Sequence, residues 1–221
     1  MKQILKRIFH HEELTREEAC TLMQRMTGGE MNEAQTAALL AAFQMRGVKV
    51  DELVGFRDAL LQACVPVDLH EFHPIDIVGT GGDGKNTFNI STCACFVVAG
   101  AGYRVPSTEL RSHFGERGQQ RDGSYGVKFT NDADKLKRSI EQCGMAYLHA
   151  PLFHPALKTV APVRKALGVR TLFNLLGPLV NPCHPACQLL GVADLPQMRL
   201  YTNTLQQLGI QFAVVNNLDG Y

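Results

Sequence analysis

The chain lacks an excess of charge of either sign. Its 22 basic residues face 21 acidic ones, leaving a net charge of +1, too little to draw it onto nucleic acid or an anionic membrane without a local patch. Long apolar runs are missing as well. The N-terminus, MKQILKRIFHHEEL, sets Ile4, Leu5, Ile8 and Phe9 at helical spacing among charges, unlike a signal peptide or a membrane span. The expectation is a soluble cytoplasmic protein with no nucleic-acid or membrane partner. A disulfide framework is equally absent, since the seven cysteines are odd in number, scattered, and mostly inside apolar runs, as at Cys64, Cys93 and Cys95. The CHPAC stretch from Cys183 to Cys187 has no second ligand pair at zinc spacing, so it reads as a loop with a chance histidine.

What is present begins with helices. The 221 residues suffice for one large or two small domains. Thr15 and Glu18 make a capping box ahead of EEACTLMQRM, which Gly28 and Gly29 stop; Asn32 caps EAQTAALLAAFQM, which Gly47 ends; Asp51 is placed to cap ELVGFRDALLQAC. The helix from Ala34 to Phe43 is apolar nearly all round. Either it is buried within its own monomer, or one face, with Leu39 and Leu40, meets a second chain.

Beyond VPVDLHEFHP the texture changes to short β-type runs, IDIVG, YRV, MAYLHA, CQLLGVA and FAVVNN, alternating with helical ones. Such alternation marks parallel βαβ units. The expected fold class is α/β: a small all-helical domain over residues 1–68, then a mainly parallel sheet flanked by helices over 73–221, with the boundary near 68–74.

The chemistry concentrates in DIVGTGGDGKNTFNIST, Asp76 to Thr92. A buried strand runs into Gly79, Gly81, Gly82 and Gly84, then into polar residues opening a helix from about Ser91. Glycines after a strand let backbone N–H groups close on a bulky anion, and the next helix adds its positive end. The glycine spacing is neither the Walker pattern nor the dinucleotide fingerprint. Thr80, Thr87, Asn89, Ser91 and Thr92 offer neutral donors, while Asp83 suggests Mg²⁺ or a sugar hydroxyl beside a polyphosphate. The competing reading is a glycine loop that only turns the chain.

This stretch resembles the phosphoribosyl pyrophosphate (PRPP) loop of the anthranilate phosphoribosyltransferases of tryptophan biosynthesis, and APLFHPALKTVAPVRKALGVRTLFNLLGPLVNP, Ala150 to Pro182, resembles their second signature. The resemblance implies a transferase with two substrates, PRPP and anthranilate, a Mg²⁺ cofactor, and a homodimer formed through the helical domain. It implies that Gly79, Thr80, Gly81, Gly82 and Asp83 wrap the pyrophosphate and ribose, that Thr87, Asn89, Ile90, Ser91 and Thr92 complete the cradle, and that Ser91 helps hold the metal. It places Gly79, Ala150, Pro151 and His154 along the anthranilate site and Arg164 on the anthranilate carboxylate. Taken alone, Arg164 reads as a solvated helix charge. No side chain is implied as a catalytic acid or base.

Two stretches depart from that family. Where its members carry Lys-His-Gly-Asn and a Ser/Gly-rich phosphate loop, this chain has PSTELRSHFGERGQQRDGSYG, residues 106–126. Permitted codons for Glu109 to Gly126, read one base later, spell Asn-Tyr-Gly-Val-Thr-Ser-Gly-Ser-Gly-Ala-Ser-Asn-Val-Met-Glu-Ala-Met, a form of the missing loop; codons for Pro106 to Thr108 contain Lys-His. Three single-base losses would restore the frame by Val127, so the segment reads as frameshifted or mis-sequenced. The chain also stops at Tyr221 where the family continues into an Asp-Glu pair, which reads as truncation, with the sheet incomplete at its C-terminal end. Both departures lead to the expectation that the chain is inactive as it stands. The alternatives are a pyrimidine nucleoside phosphorylase-like enzyme, whose glycine loop differs, and a non-catalytic phosphate-ligand-binding protein of the same fold.

Overall fold

The computed structural model describes residues 2–81, 89–108 and 129–216. The chain forms two compact units, Met1–Cys64 with His154–Val180, and Val65–Phe153 with Asn181–Tyr221.

The first unit is helical: α1 Lys2–Phe9, α2 Arg16–Thr27, α3 Glu33–Arg46 and α4 Val50–Gln62, joined by α8 Ala161–Leu167 and α9 Phe173–Leu176. Local chemistry sets the starts of α2 and α3. The Thr15 hydroxyl accepts from Glu18 N–H while the Glu18 carboxylate accepts from Thr15 N–H, and Asn32 and Gln35 repeat the exchange. Helix α4 starts earlier than expected, with Lys49 as its cap residue and Asp51 inside the first turn. The reason is Glu52, whose carboxylate accepts from Lys49 N–H at 2.9 Å, from Leu14 N–H at 2.9 Å and from Arg46 at 2.6 Å. That carboxylate is fully buried, and the pairing with Arg46 offsets the cost of removing a charge from water.

Helices α2 and α4 cross where Gly55 lies against Arg16 and Ala19. On α3, Leu39 and Leu40 are both 0% exposed within this unit. They are core residues, which corrects their assignment to a face shared with a second chain; the exposed apolar positions are Ala34, Ala41 and Met45, the last 87% exposed. The sequence reading draws one boundary near residues 68–74, whereas residues 154–180 rejoin the helical unit. There α8 packs on α3 and α9 on α4, and Arg57 donates from Nε to the Leu179 carbonyl at 3.0 Å.

The second unit carries β1 Ile75–Gly79, α5 Ile90–Gly100, β2 Val105–Ser107, α6 Ala133–Cys143, β3 Met145–Tyr147, α7 Ala150–Phe153, β4 Cys187–Val192, α10 Leu195–Gln207 and β5 Gln211–Asn216. All described pairings are parallel: β1 with β4, β4 with β5, and β2 with β3. Ile75 N–H donates to the Arg104 carbonyl, which sets β1 alongside the start of β2. The short strand expected at YRV forms slightly later, at Val105–Ser107. Helix α5 is held on the sheet by Cys95, fully buried with Ile77, Val105 and Met145. A second apolar cluster joins Leu136 and Ile140 of α6 to Val67, Leu69, Leu148 and Phe153.

Candidate functional site

In a parallel sheet with helical crossovers, each helix begins at the carboxyl end of the strand before it, and ligands bind there. Strand β1 ends at Gly79, in register with Gly191 of β4, and Thr80 N–H donates to the Gly191 carbonyl at 2.9 Å. A Cβ on Gly191 would meet the Gly79 Cα at 3.8 Å, an ordinary contact. Gly81 then takes φ 61°, a left-handed conformation that glycine adopts without strain, and is exposed. Gly82, Asp83 and Thr87 lie outside the described residues.

The chain re-enters at Asn89, the N-cap of α5, whose side-chain oxygen accepts from Thr92 N–H at 3.0 Å. Helix α5 starts at Ile90, one residue before the expected start, because this cap fixes the first turn. Ile90, Ser91 and Thr92 are therefore its first three residues, at the end where backbone N–H groups lack intrahelical acceptors and the helix dipole is positive. Ile90 is exposed, and Ser91 and Thr92 are half-buried. This unit thus brings Gly79, Thr80 and Gly81 and the opening turn of α5 to one end of the sheet. Such an arrangement suits an anion.

Ala150 and Pro151 open the short helix α7 that follows β3, Ala150 half-buried and Pro151 exposed. Just ahead of them, the His149 ring stacks on Phe129 with centroids 4.5 Å apart. His154 and Arg164 belong to the helical unit. The His154 ring is 4% exposed, with Nε2 at 2.8 Å from the Val180 carbonyl. Arg164 lies on α8, half-buried, its guanidinium 5.1 Å from the centroid of the Phe173 ring.

For Mg²⁺, the described residues contain no group of three or more His, Cys, Asp or Glu able to hold a metal. Ser91 contributes one hard hydroxyl oxygen on a helix N-terminus. That fits a magnesium held mostly by phosphate and water, as this cation prefers. The Cys183 thiol is buried, 3.1 Å from the Asn181 side-chain oxygen, and burial pushes its pKa well up, with Asp76 adding to the shift. It is a packed neutral thiol, beside an exposed His184 at φ 48°.

Sequence reasoning missed Gly191, Asn181 and Phe173. Gly191 could have been found from the single glycine late in the apolar run CQLLGVA. Asn181 donates to the Pro106 carbonyl at 2.9 Å across 75 positions of sequence, and no local signal announces that contact.

Residues 2–64 match the glycosyl transferase family helical bundle domain, and residues 71–221 match the glycosyl transferase family a/b domain. Over its whole length the chain is 66% identical to an anthranilate phosphoribosyltransferase of Phocaeicola vulgatus, of which it covers 67%. This chain belongs to the anthranilate phosphoribosyltransferase family. Among solved structures, the anthranilate phosphoribosyltransferase of Thermus thermophilus superposes with a TM-score of 0.87 at 36% identity, over 98% of this chain and 66% of that one. The Saccharomyces cerevisiae enzyme superposes with a TM-score of 0.82 at 25% identity in complex with 4-fluoroanthranilate, covering 98% of this chain and 64% of that one. In complex with PRPP and Mg its TM-score is 0.80 at 26% identity, covering 95% and 63%. The chain spans about two thirds of the length of these relatives.

Proposed function

We propose that the frame-corrected form of this protein transfers the phosphoribosyl group of PRPP to the amine of anthranilate, releasing pyrophosphate, as a step of tryptophan biosynthesis, and that the chain as it stands is inactive. The observation that carries this reading is the glycine end of β1 together with the Asn89-capped start of α5, an arrangement suited to an anion, in a chain 66% identical to a named anthranilate phosphoribosyltransferase. The amine nitrogen bonds to the anomeric carbon as the bond from that carbon to pyrophosphate oxygen breaks, and the proton the amine then loses passes to the released pyrophosphate or to water. Because the leaving group departs from a carbon able to bear oxocarbenium character, the residues' task is to position and to offset charge.

Gly79, Thr80, Gly81 and Asn89–Thr92 hold the donor's phosphates and ribose, a role given also to Gly82, Asp83 and Thr87, which lie outside the described residues. Ser91 would help hold Mg²⁺, which when bound offsets the charge on the departing pyrophosphate. Arg164 takes the anthranilate carboxylate, and Gly79, Ala150, Pro151 and His154 line the aromatic substrate. The names of the relatives favour this reading over a phosphorylase or a non-catalytic binder. Within it the protein is a cytoplasmic homodimer joined through the helical unit; the open Ala34, Ala41 and Met45 positions of α3 support the dimer, and no described helix is long and apolar enough to cross a membrane.

Calorimetry with PRPP and Mg²⁺, with anthranilate, and with thymidine tests the reading. Binding of the first two and not of thymidine is expected. Arg164→Ala should weaken anthranilate by about 10-fold or more, the scale of a lost charge-assisted hydrogen bond, and leave PRPP nearly unchanged. Thymidine binding, or equal losses for both substrates, would overturn it.

A further inference from the structure

We infer that Phe173 is a positioning residue for anthranilate, acting through Arg164; the inference rests on the proposed role of Arg164. Helix α8 stops just beyond Arg164 because Gly168 takes φ 62°, its N–H donating back to the Arg164 carbonyl at 3.2 Å. The chain reverses there, and Thr171 N–H donates to the Asn174 side-chain oxygen at 2.9 Å, which fixes the start of α9. Phe173 opens that helix between Leu172 and Leu176, each 1% exposed, and is itself 6% exposed. Its ring is locked by packing, and the guanidinium of the half-buried Arg164 lies over it at 5.1 Å.

A ring face attracts a guanidinium through its quadrupole. It also restricts a long side chain before the substrate arrives, so less rotamer freedom is lost when the carboxylate is gripped. A lysine at 164 would have no such planar group, and an aliphatic residue at 173 would fill the core without holding the guanidinium.

The test is fluorescence titration of anthranilate, whose own emission is unobscured because the chain contains no tryptophan, with PRPP and Mg²⁺ binding followed in parallel by calorimetry. Phe173→Leu should weaken anthranilate about three- to ten-fold while PRPP binding changes less than about two-fold, as expected of one cation–π contact. Phe173→Tyr, which keeps the ring face, should restore the affinity. On an Arg164→Ala background, Phe173→Leu should have no further effect. If Phe173→Leu does not fold, Phe173→Met takes its place with the same expected values.

Wild-type anthranilate affinity in the Leu or Met variant overturns the inference, as does an equal loss for both ligands that Tyr does not rescue. If Arg164→Ala weakens anthranilate and the Phe173 variants do not, this inference alone falls. If Arg164→Ala binds anthranilate as the wild type does, or the wild type binds none, the reading of Arg164 falls and takes this one with it.

Discussion

Gly55→Ala should destabilise the helical unit, although alanine is the better helix former. A Cβ at position 55 would lie 2.8 Å from the Ala19 Cβ and 3.0 Å from the Arg16 carbonyl carbon, and closer still to the Arg16 carbonyl oxygen. Two of those three atoms are backbone of α2, so no rotamer change relieves the overlap and the helices must separate. Separation loosens a seam in which Ala19, Leu22, Met23, Leu53 and Phe56 are all 0% exposed. Overpacking of this kind costs about 3 kcal/mol at the upper end of its usual range. The helix-propensity gain of alanine over glycine returns about 1 kcal/mol. The net loss is about 2 kcal/mol, or about 4–8 °C in Tm for a chain of this size. Urea and thermal unfolding followed by circular dichroism would measure it. Gly100→Ala is the control, because a Cβ there meets nothing within 4 Å. An unchanged or raised midpoint for Gly55→Ala would refute the reasoning about close helix approach.

If the protein dimerises through α3, Met45→Glu should give a monomeric mass by light scattering with an unchanged Tm, since Met45 is 87% exposed; a wild-type chain that is monomeric at high concentration would end the dimer proposal. The Arg7 side chain, hydrogen-bonded to Glu18, holds that carboxyl below its ordinary range, with Thr15 N–H adding to the shift. The stabilisation is therefore complete above the unfolded carboxyl's pKa and is lost as pH falls through the lower folded value. Arg7→Gln should move acid unfolding to higher pH, and superimposable acid titrations would contradict this. The 221-residue chain should show no turnover of PRPP and anthranilate, because bulky side chains between Glu109 and Gly126 replace Gly and Ser of the family loop, where close backbone approach to phosphate is required. Measurable turnover by the chain purified from a host lacking its own enzyme would refute that, and the coding DNA across residues 105–127 would show whether the segment is frameshifted.

The sequence by itself determined the features whose causes are local. A capping box spans four residues, so Thr15 with Glu18 and Asn32 with Gln35 place the starts of α2 and α3 without help from the rest of the chain. The alternation of β-type and helical runs sufficed for a parallel sheet. Where the local signal was ambiguous, packing decided. Helix α3 is apolar on nearly every side, so no period distinguishes Leu39 and Leu40, which face the core, from Met45, which does not. Asp51 has the chemistry of a cap, yet Glu52 starts α4 because it also receives Leu14 N–H from across the unit. The return of residues 154–180 to the helical unit, the pairing of Gly191 with Gly79 and the contact of Arg164 with Phe173 rest on which surfaces meet. Such meetings depend on complementary shape and buried area between segments distant in the chain, and neither is encoded in the spacing of residues along it.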